Sequence, residues 1–204
     1  MTVKAWLVFL LVAASLAPAV FAETEFWLPA AFQLPVKEKV KFNIIPELRF
    51  RNGGELYYWR TYFGPTLLLS KSVDLGFYYA LNYAKKGADF SPSSLACLDG
   101  NYKADLPWFS FNNRGRFEYD LSPDVLKYRN LFQFKKDAWT LSDELFYNVK
   151  LGFFDEGRSL IAYTAKGPGD IDLIIGYLLR RQKQSATADW QRTNVISLGL
   201  KVNL

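Results

Sequence analysis

The chain has 204 residues, half of them hydrophobic, with 25 basic and 20 acidic side chains, no histidine and one cysteine, Cys97. The missing histidine excludes Ser-His, Cys-His and Asp-His catalysis and every His-ligated metal site, so outer-membrane lipases and proteases that need a histidine are not models for this chain. The lone Cys97 excludes an internal disulfide and a cysteine metal cluster, and we expect no cofactor. It reads as a buried small residue or a loop thiol. The net charge of +5 comes without a Lys/Arg cluster with interleaved aromatics, which argues against nucleic acid.

Lys4 precedes an apolar run from Ala5 to Leu16, Pro18 breaks it, and Val20-Phe21-Ala22 offers the residues a signal peptidase reads. Residues 1–22 are therefore predicted to be a secretory signal peptide cut after Ala22. The alternative is a retained helical anchor, since the run approaches the ~20 residues that cross a bilayer; Pro18 and the cleavage-like end favour removal. No lipobox cysteine follows, and residues 23–204 read as a single domain.

After residue 22 the apolar content is dispersed in alternation. Glu25 to Leu34 forms an N-terminal segment, residues 23–38, expected to cap or enter a lumen. Val40, Phe42, Ile44, Leu48 and Phe50 then oppose Lys39, Lys41, Asn43, Glu47, Arg49 and Arg51, the side-chain period of a strand. Pro46 interrupts this run and predicts a bulge or a locally unpaired site, because proline cannot donate to a ladder. Tyr57, Trp59, Thr61, Phe63 and Leu67 oppose Tyr58, Arg60 and Tyr62, and Val73 to Tyr83 alternates in the same way. Tyr102 to Leu106 is a shorter strand.

Phe117, Tyr119 and Leu121 oppose Arg114, Arg116, Glu118 and Asp120; Tyr128, Phe132 and Phe134 oppose Arg129, Gln133 and Lys135. Leu141, Leu145, Tyr147 and Val149 oppose Ser142, Glu144 and Asn148. Ile161 and Tyr163 oppose Arg158 and Thr164, and Ile171 to Leu179 opposes Asp172, Gly176, Arg180 and Gln182. The last strand, Thr193 to Leu204, sets Ile196, Leu198, Leu200, Val202 and Leu204 against Ser197, Gly199, Lys201 and Asn203.

Long alternating strands behind an export signal predict an all-β fold: a transmembrane antiparallel up-and-down β-barrel in the bacterial outer membrane. The count from Lys39 is ten strands, or eleven with Glu25 to Leu34; the even number usual for such barrels favours ten, with twelve if a strand hides near Cys97. With the turn Gly167 to Asp170 in the periplasm, Lys136-Asp137 and Ser70-Lys71-Ser72 share its side. Lys85 to Leu98, Leu151 to Gly157 and Lys183 to Trp190 become longer outer loops. Trp27, Trp59, Trp108, Trp139 and Trp190 fall near strand ends, where amphipathic rings favour the membrane interface.

The polar face carries Glu47, Arg49, Arg51, Arg60, Arg114, Arg116, Glu118, Arg129, Glu144, Arg158 and Arg180, the candidate site residues. In a narrow barrel they either neutralise one another in a structural plug or leave a positive lumen that binds or conducts a small anionic solute. The partners expected are outer-membrane lipid and the barrel-insertion machinery. Two further readings compete. In a soluble periplasmic barrel the apolar face would turn inward and bind a small apolar ligand, since alternation does not say which face is inside. An outer-membrane enzyme would use carboxylates such as Glu118 and Glu144 for acid/base work, but their neighbouring arginines keep them ionised, and no enzyme is expected.

Pro46-Glu47-Leu48-Arg49-Phe50-Arg51-Asn52, with Glu55-Leu56-Tyr57-Tyr58-Trp59-Arg60-Thr61, resembles the opening motif of a bacterial family of outer-membrane β-barrels classed as a domain of unknown function. Tyr128-Arg129-Asn130, Ser142 to Tyr147, Arg158, Thr193-Asn194-Val195 and Leu198-Gly199-Leu200 extend the resemblance through nearly the whole chain after residue 22. It implies fold and location, with no ligand or activity to carry over. Such barrels usually end in an aromatic residue, whereas this chain ends in Leu204.

Overall fold

The structure is a computed structural model that describes residues 24–204 except Asn52 and Pro123; the signal peptide predicted at residues 1–22 lies outside the described residues. Eleven strands follow one another: β1 (Glu25–Lys37), β2 (Val40–Arg51), β3 (Glu55–Leu68), β4 (Val73–Lys86), β5 (Asp89–Asp105), β6 (Ser110–Asp120), β7 (Val125–Lys136), β8 (Trp139–Asn148), β9 (Phe153–Lys166), β10 (Ile171–Gln182) and β11 (Gln191–Asn203). Each pairs antiparallel with the next, and the sheet closes into a barrel by a parallel pair between β1 and β11. An odd meander can close only in this way, because its first and last strands run in the same direction.

The all-β barrel is therefore as expected, with two corrections. There are eleven strands, within the expected range of ten to twelve but not the favoured even count, and Glu25 to Lys37 neither caps nor enters the lumen. It is the closing strand, with Glu25 opposite Val195 and Phe32 opposite Val202. The alternation of Glu25, Trp27, Pro29, Ala31 and Gln33 with Phe26, Leu28, Ala30 and Phe32 places it in the wall. Sequence parity misled because the even-number rule holds only for barrels that close with an antiparallel pair.

The second difference concerns β5. Most of the span Lys85 to Leu98, read as an outer loop, and of the short strand at Tyr102 to Leu106 belongs to one strand of 17 residues, Asp89–Asp105, running through Cys97. Gly87 takes φ +65°, open to glycine at no steric cost, so the β4–β5 connection shrinks to residues 87–88. Leu151 to Gly157 likewise belongs mostly to β9, and only residues 183–190 form a longer connection at that end, among the described residues. We call the end that carries them the upper rim, and the end with residues 38–39, 69–72, 106–109, 137–138 and 167–170 the lower rim.

Pro46 pairs with Thr61 of β3 without a register shift, and the bulge falls instead between Arg49 and Phe50. Towards β1, pairing stops at Pro29 opposite Glu47 and resumes at Phe32 opposite Ile44, so the chain is locally unpaired beside Pro46. A similar gap in the β3–β4 ladder spans Gly64 and Pro65. A Cβ on Gly64 would lie 1.9 Å from the Phe77 carbonyl oxygen, and its φ is +158°. No rotamer relieves a clash with backbone, so Gly64→Ala is expected to cost about 1–3 kcal/mol, read as a lower urea midpoint in detergent.

The two faces of the wall are inverted relative to a water-soluble protein. Buried polar groups include Asn43, Glu47, Arg49, Asp99, Arg116, Glu118, Arg129, Glu144, Glu156 and Arg158, whereas Phe77, Leu98, Phe117, Phe132, Phe134, Leu141, Ile161 and Ile175 are exposed on the outside. Charged side chains are almost never buried unless paired, so their presence inside defines the interior as a polar lumen. The interior is thus not an apolar cavity of the kind a small apolar ligand would need. Its apolar parts are small: Tyr62, Ala80, Leu95 and Cys97 pack together, and Trp27 packs with Leu178 and Val195. Cys97 is accordingly a buried small residue.

Trp108 and Trp139 are exposed beside the lower rim, Trp190 is exposed in the 183–190 connection, and Trp59 stacks on Tyr83 at 4.0 Å on the outer face. Trp27 departs from its expected interfacial place. It points into the lumen and is only 4% exposed.

Candidate functional site: a charged septum across the barrel

Strict alternation along long, paired strands sends the charged residues inward at similar heights, and the narrow lumen forces them into contact. Arg116 of β6 makes a two-pronged pair with Asp99 of β5, at 2.5 and 2.6 Å. Arg129 of β7, 3% exposed, bridges Glu118 and Glu144: Nη1 donates to Glu118 Oε1 and Nη2 to Glu144 Oε1 at 2.8 Å. Arg114 donates to the same Glu144 oxygen at 2.7 Å, and Arg158 Nη1 lies 3.8 Å from the other oxygen. Arg158 Nε and Arg180 Nε both donate to Glu156 Oε1, at 2.6 and 3.1 Å.

Arg180 continues to Glu25 at 3.5 Å, and Glu25 Oε2 accepts from Trp27 Nε1 and Tyr57 OH. On the other side, Glu118 accepts from Tyr62 OH at 3.0 Å, Tyr62 OH accepts from Arg60, and Arg60 shares Glu47 with Arg49. The bonds form one connected network with members from every strand except β4 and β11. Aromatic rings interleave it: Arg49 lies 3.8 Å from the Trp27 ring centroid, Arg129 and Arg158 at 4.3 and 4.4 Å from Phe146, and Arg60 and Arg116 both at 4.8 Å from Tyr62. Such contacts hold arginines that have fewer carboxylates than a full pairing would need.

Of the eleven candidate residues, Glu47, Arg49, Arg60, Arg114, Arg116, Glu118, Arg129, Glu144, Arg158 and Arg180 belong to this network. Arg51 does not; it is exposed at the upper rim, 3.5 Å from Glu55. The sequence reading missed Glu25, Asp99 and Glu156, whose strands it had assigned to a terminal segment and two loops. With them, seven arginines face six carboxylates, so the strong arginine excess expected of the lumen is absent at its centre. Five of the six acids are buried, and their pairing with the guanidiniums follows the rule that interior charge must be paired.

The network divides the lumen. A cavity of about 280 Å3 lies on the lower side, lined by Trp27, Pro29, Arg114, Gln133, Ser142 and Ser197 among others. Another of about 420 Å3 lies on the upper side, lined by Arg49, Tyr57, Asn82, Asp120 and Glu156 among others. Arg60, Arg129 and Arg158 border both. The network is a septum.

Among the described residues no group of three or more His, Cys, Asp or Glu side chains is placed to hold a metal ion. Glu118 and Glu144, the carboxylates considered for acid/base work, each accept from two or more donors within the septum.

A family model described as a protein of unknown function (DUF2490) matches residues 24–192, which run from the start of β1 to the first residues of β11. The chain belongs to this family. Within DUF2490, the matched stretch includes every septum residue, from Glu25 to Arg180. The comparisons with curated proteins and with solved structures found no match.

Proposed function

We propose that this DUF2490 chain is exported by cleavage after Ala22 and inserts as an integral outer-membrane β-barrel whose lumen is closed at rest by the septum, with no catalytic role. The observation that carries the reading is the inverted wall, with paired charges inside and an apolar exterior. Only a lipid surround makes that exterior favourable, since in water each exposed aliphatic or aromatic chain forfeits its burial energy. Strands of 10 to 17 residues suit a tilted crossing, which takes about 9–11. Closure by the β1–β11 pair leaves no strand edge for lipid to meet. Outer-membrane lipid and the barrel-insertion machinery are the partners this reading calls for.

The outer face is not uniformly apolar. Asn113, Asn130, Asp143, Ser159 and Arg181 interrupt it, and they satisfy one another: Asp143 accepts from Ser159 at 2.5 Å and from Arg181 at 3.1 Å, and Asn113 donates to Asn130 at 3.0 Å. Mutual pairing lowers the cost of presenting them to lipid.

The test is electrophoretic mobility of the outer-membrane fraction, boiled and unboiled, after urea extraction. The expected result is a urea-resistant band that runs faster unboiled. A periplasmic protein with no heat-dependent shift would overturn the reading. In planar bilayers the unmodified protein is expected to leave the baseline conductance unchanged.

A further inference from the structure

Below the septum the character of the lumen changes from arginine to lysine. Continuing the inward alternation past the septum reaches Lys41 on β2 (after Glu47, Ile45 and Asn43) and Lys103 on β5 (after Asp99 and Asn101). It likewise reaches Lys135 on β7 (after Arg129, Leu131 and Gln133) and Lys201 on β11 (after Val195, Ser197 and Gly199). Lys166 of β9 joins them at the rim. Lys103 pairs with Asp74 at 2.6 Å and Lys166 with Asp172 at 2.8 Å. Among the described residues, Lys41, Lys135 and Lys201 have no carboxylate within ion-pair distance, and the remaining inward acid, Asp105, accepts from Ser110.

These lysines face one another. Lys135 is acted on by the charges of Lys201, Lys103 and Lys166 and by the opposing charge of Asp172, and Lys201 by Asp172 and by Lys41, Lys166 and Lys103. β7 and β11 stand four strands apart along the wall, so this coupling runs across the lumen. Asp74 and Asp172 offset only part of the charge of the five lysines, and the excess of like charge that remains costs stability, while nothing in the wall requires it there. Directly above it lies the cavity of about 280 Å3, whose lining offers Gln133, Ser142 and Ser197 as hydrogen-bonding groups. Arg114 also borders that cavity, and its Nε is buried without a hydrogen-bond partner among the described residues.

We propose that the lower mouth of the barrel binds a phosphate-type anion, held by Lys41, Lys135 and Lys201 over the cavity that Arg114 borders. Three ammonium groups from three strands at one mouth present many donors, which suits a tetrahedral, multiply charged oxyanion. The septum closes the way onward, so the mouth holds its ligand rather than passing it. A phosphate compound in solution and a phospholipid headgroup share this chemistry. The site depends on the lumen's charges and not on where the barrel resides, so its failure would leave the membrane reading standing.

The experiment is calorimetric titration of the full chain in an uncharged detergent with pyrophosphate, against chloride at matched ionic strength. Saturable binding is expected for pyrophosphate and not for chloride. Combining Lys41→Gln, Lys135→Gln and Lys201→Gln is expected to weaken it at least tenfold, whereas Lys71→Gln with Lys136→Gln, on a turn and on the outward face, leaves it unchanged. Binding no tighter than chloride, or equal binding by the triple variant, overturns the proposal. Titration in vesicles of phosphatidylcholine with and without phosphatidylglycerol then assigns the source. A pyrophosphate affinity lowered by the anionic lipid in the unmodified protein alone supports headgroup binding at the lysines. An unchanged affinity supports a soluble phosphate compound.

Discussion

Replacing Arg129 by methionine is expected to lower the unfolding free energy by about 3–5 kcal/mol and to open the septum. Among the described residues, Arg129 is the one side chain that joins Glu118 to Glu144. Both carboxylates are buried, and breaking a buried pair leaves an uncompensated charge whose desolvation the structure no longer offsets. Arg116, Arg114 and Arg158 remain within reach of the two glutamates, so the loss falls short of unfolding the barrel. Arg129 also borders the cavities on both sides of the septum. Methionine fills similar length without the fork that ties three strands together. Urea unfolding in detergent reads the first effect and single-channel conductance the second. Adding Glu118→Gln and Glu144→Gln to Arg129→Met is expected to restore part of the stability while the channel stays open. Stability unchanged by Arg129→Met alone would mean that the network carries no net pairing energy.

Trp27→Ala is the second large effect, at about 3–5 kcal/mol, the range for truncating a buried aromatic. The ring lies between Arg49 at 3.8 Å and Arg158 at 5.0 Å from its centroid, and packs with Leu178 and Val195. Its Nε1 donates to Glu25, so truncation also removes one of the donors that hold this carboxylate on β1. Because β1 supplies the parallel closing pair, the effect should appear in the heat-dependent mobility shift as a lower temperature of conversion. Trp27→Phe keeps most of the packing but loses the hydrogen bond, and is expected to fall between the two. An outward-facing tryptophan would show neither effect, so Trp59→Ala is the matched comparison: its ring stacks on Tyr83 at the outer face.

The legible parts of the fold were those where polarity alternates strongly. Val73 to Tyr83, Ile171 to Leu179 and, apart from the final Leu204, Thr193 to Leu204 lie within β4, β10 and β11, with inward and outward sets as the period of two requires. Ten of the eleven candidate residues also converge, since any charge on the polar face of a narrow closed barrel must meet the others. β5 was illegible because its inward face mixes Leu95 and Cys97 with Asp99, while its outward face includes Ala96 and Gly100; no contrast in polarity marks the strand. With β5 and the start of β9 unread, Asp99 and Glu156 stayed out of the site, and the lumen looked far more positive than it is.

By itself the sequence determined the period, the all-β class and which residues share a face, because these follow from local stereochemistry and the order of polar and apolar residues. It left open which face points inward, since inverting the sheet preserves every alternation. Only the closed tertiary structure decided that, by placing seven arginines and six carboxylates in mutual reach. It also decided the count of eleven, because closure is a relation between β1 and β11, far apart in the chain. The separation of a paired arginine septum from a lysine mouth that is only partly paired arises in the same way: charges from distant strands become neighbours only across the lumen, where distance through space and not along the chain sets which of them are neutralised.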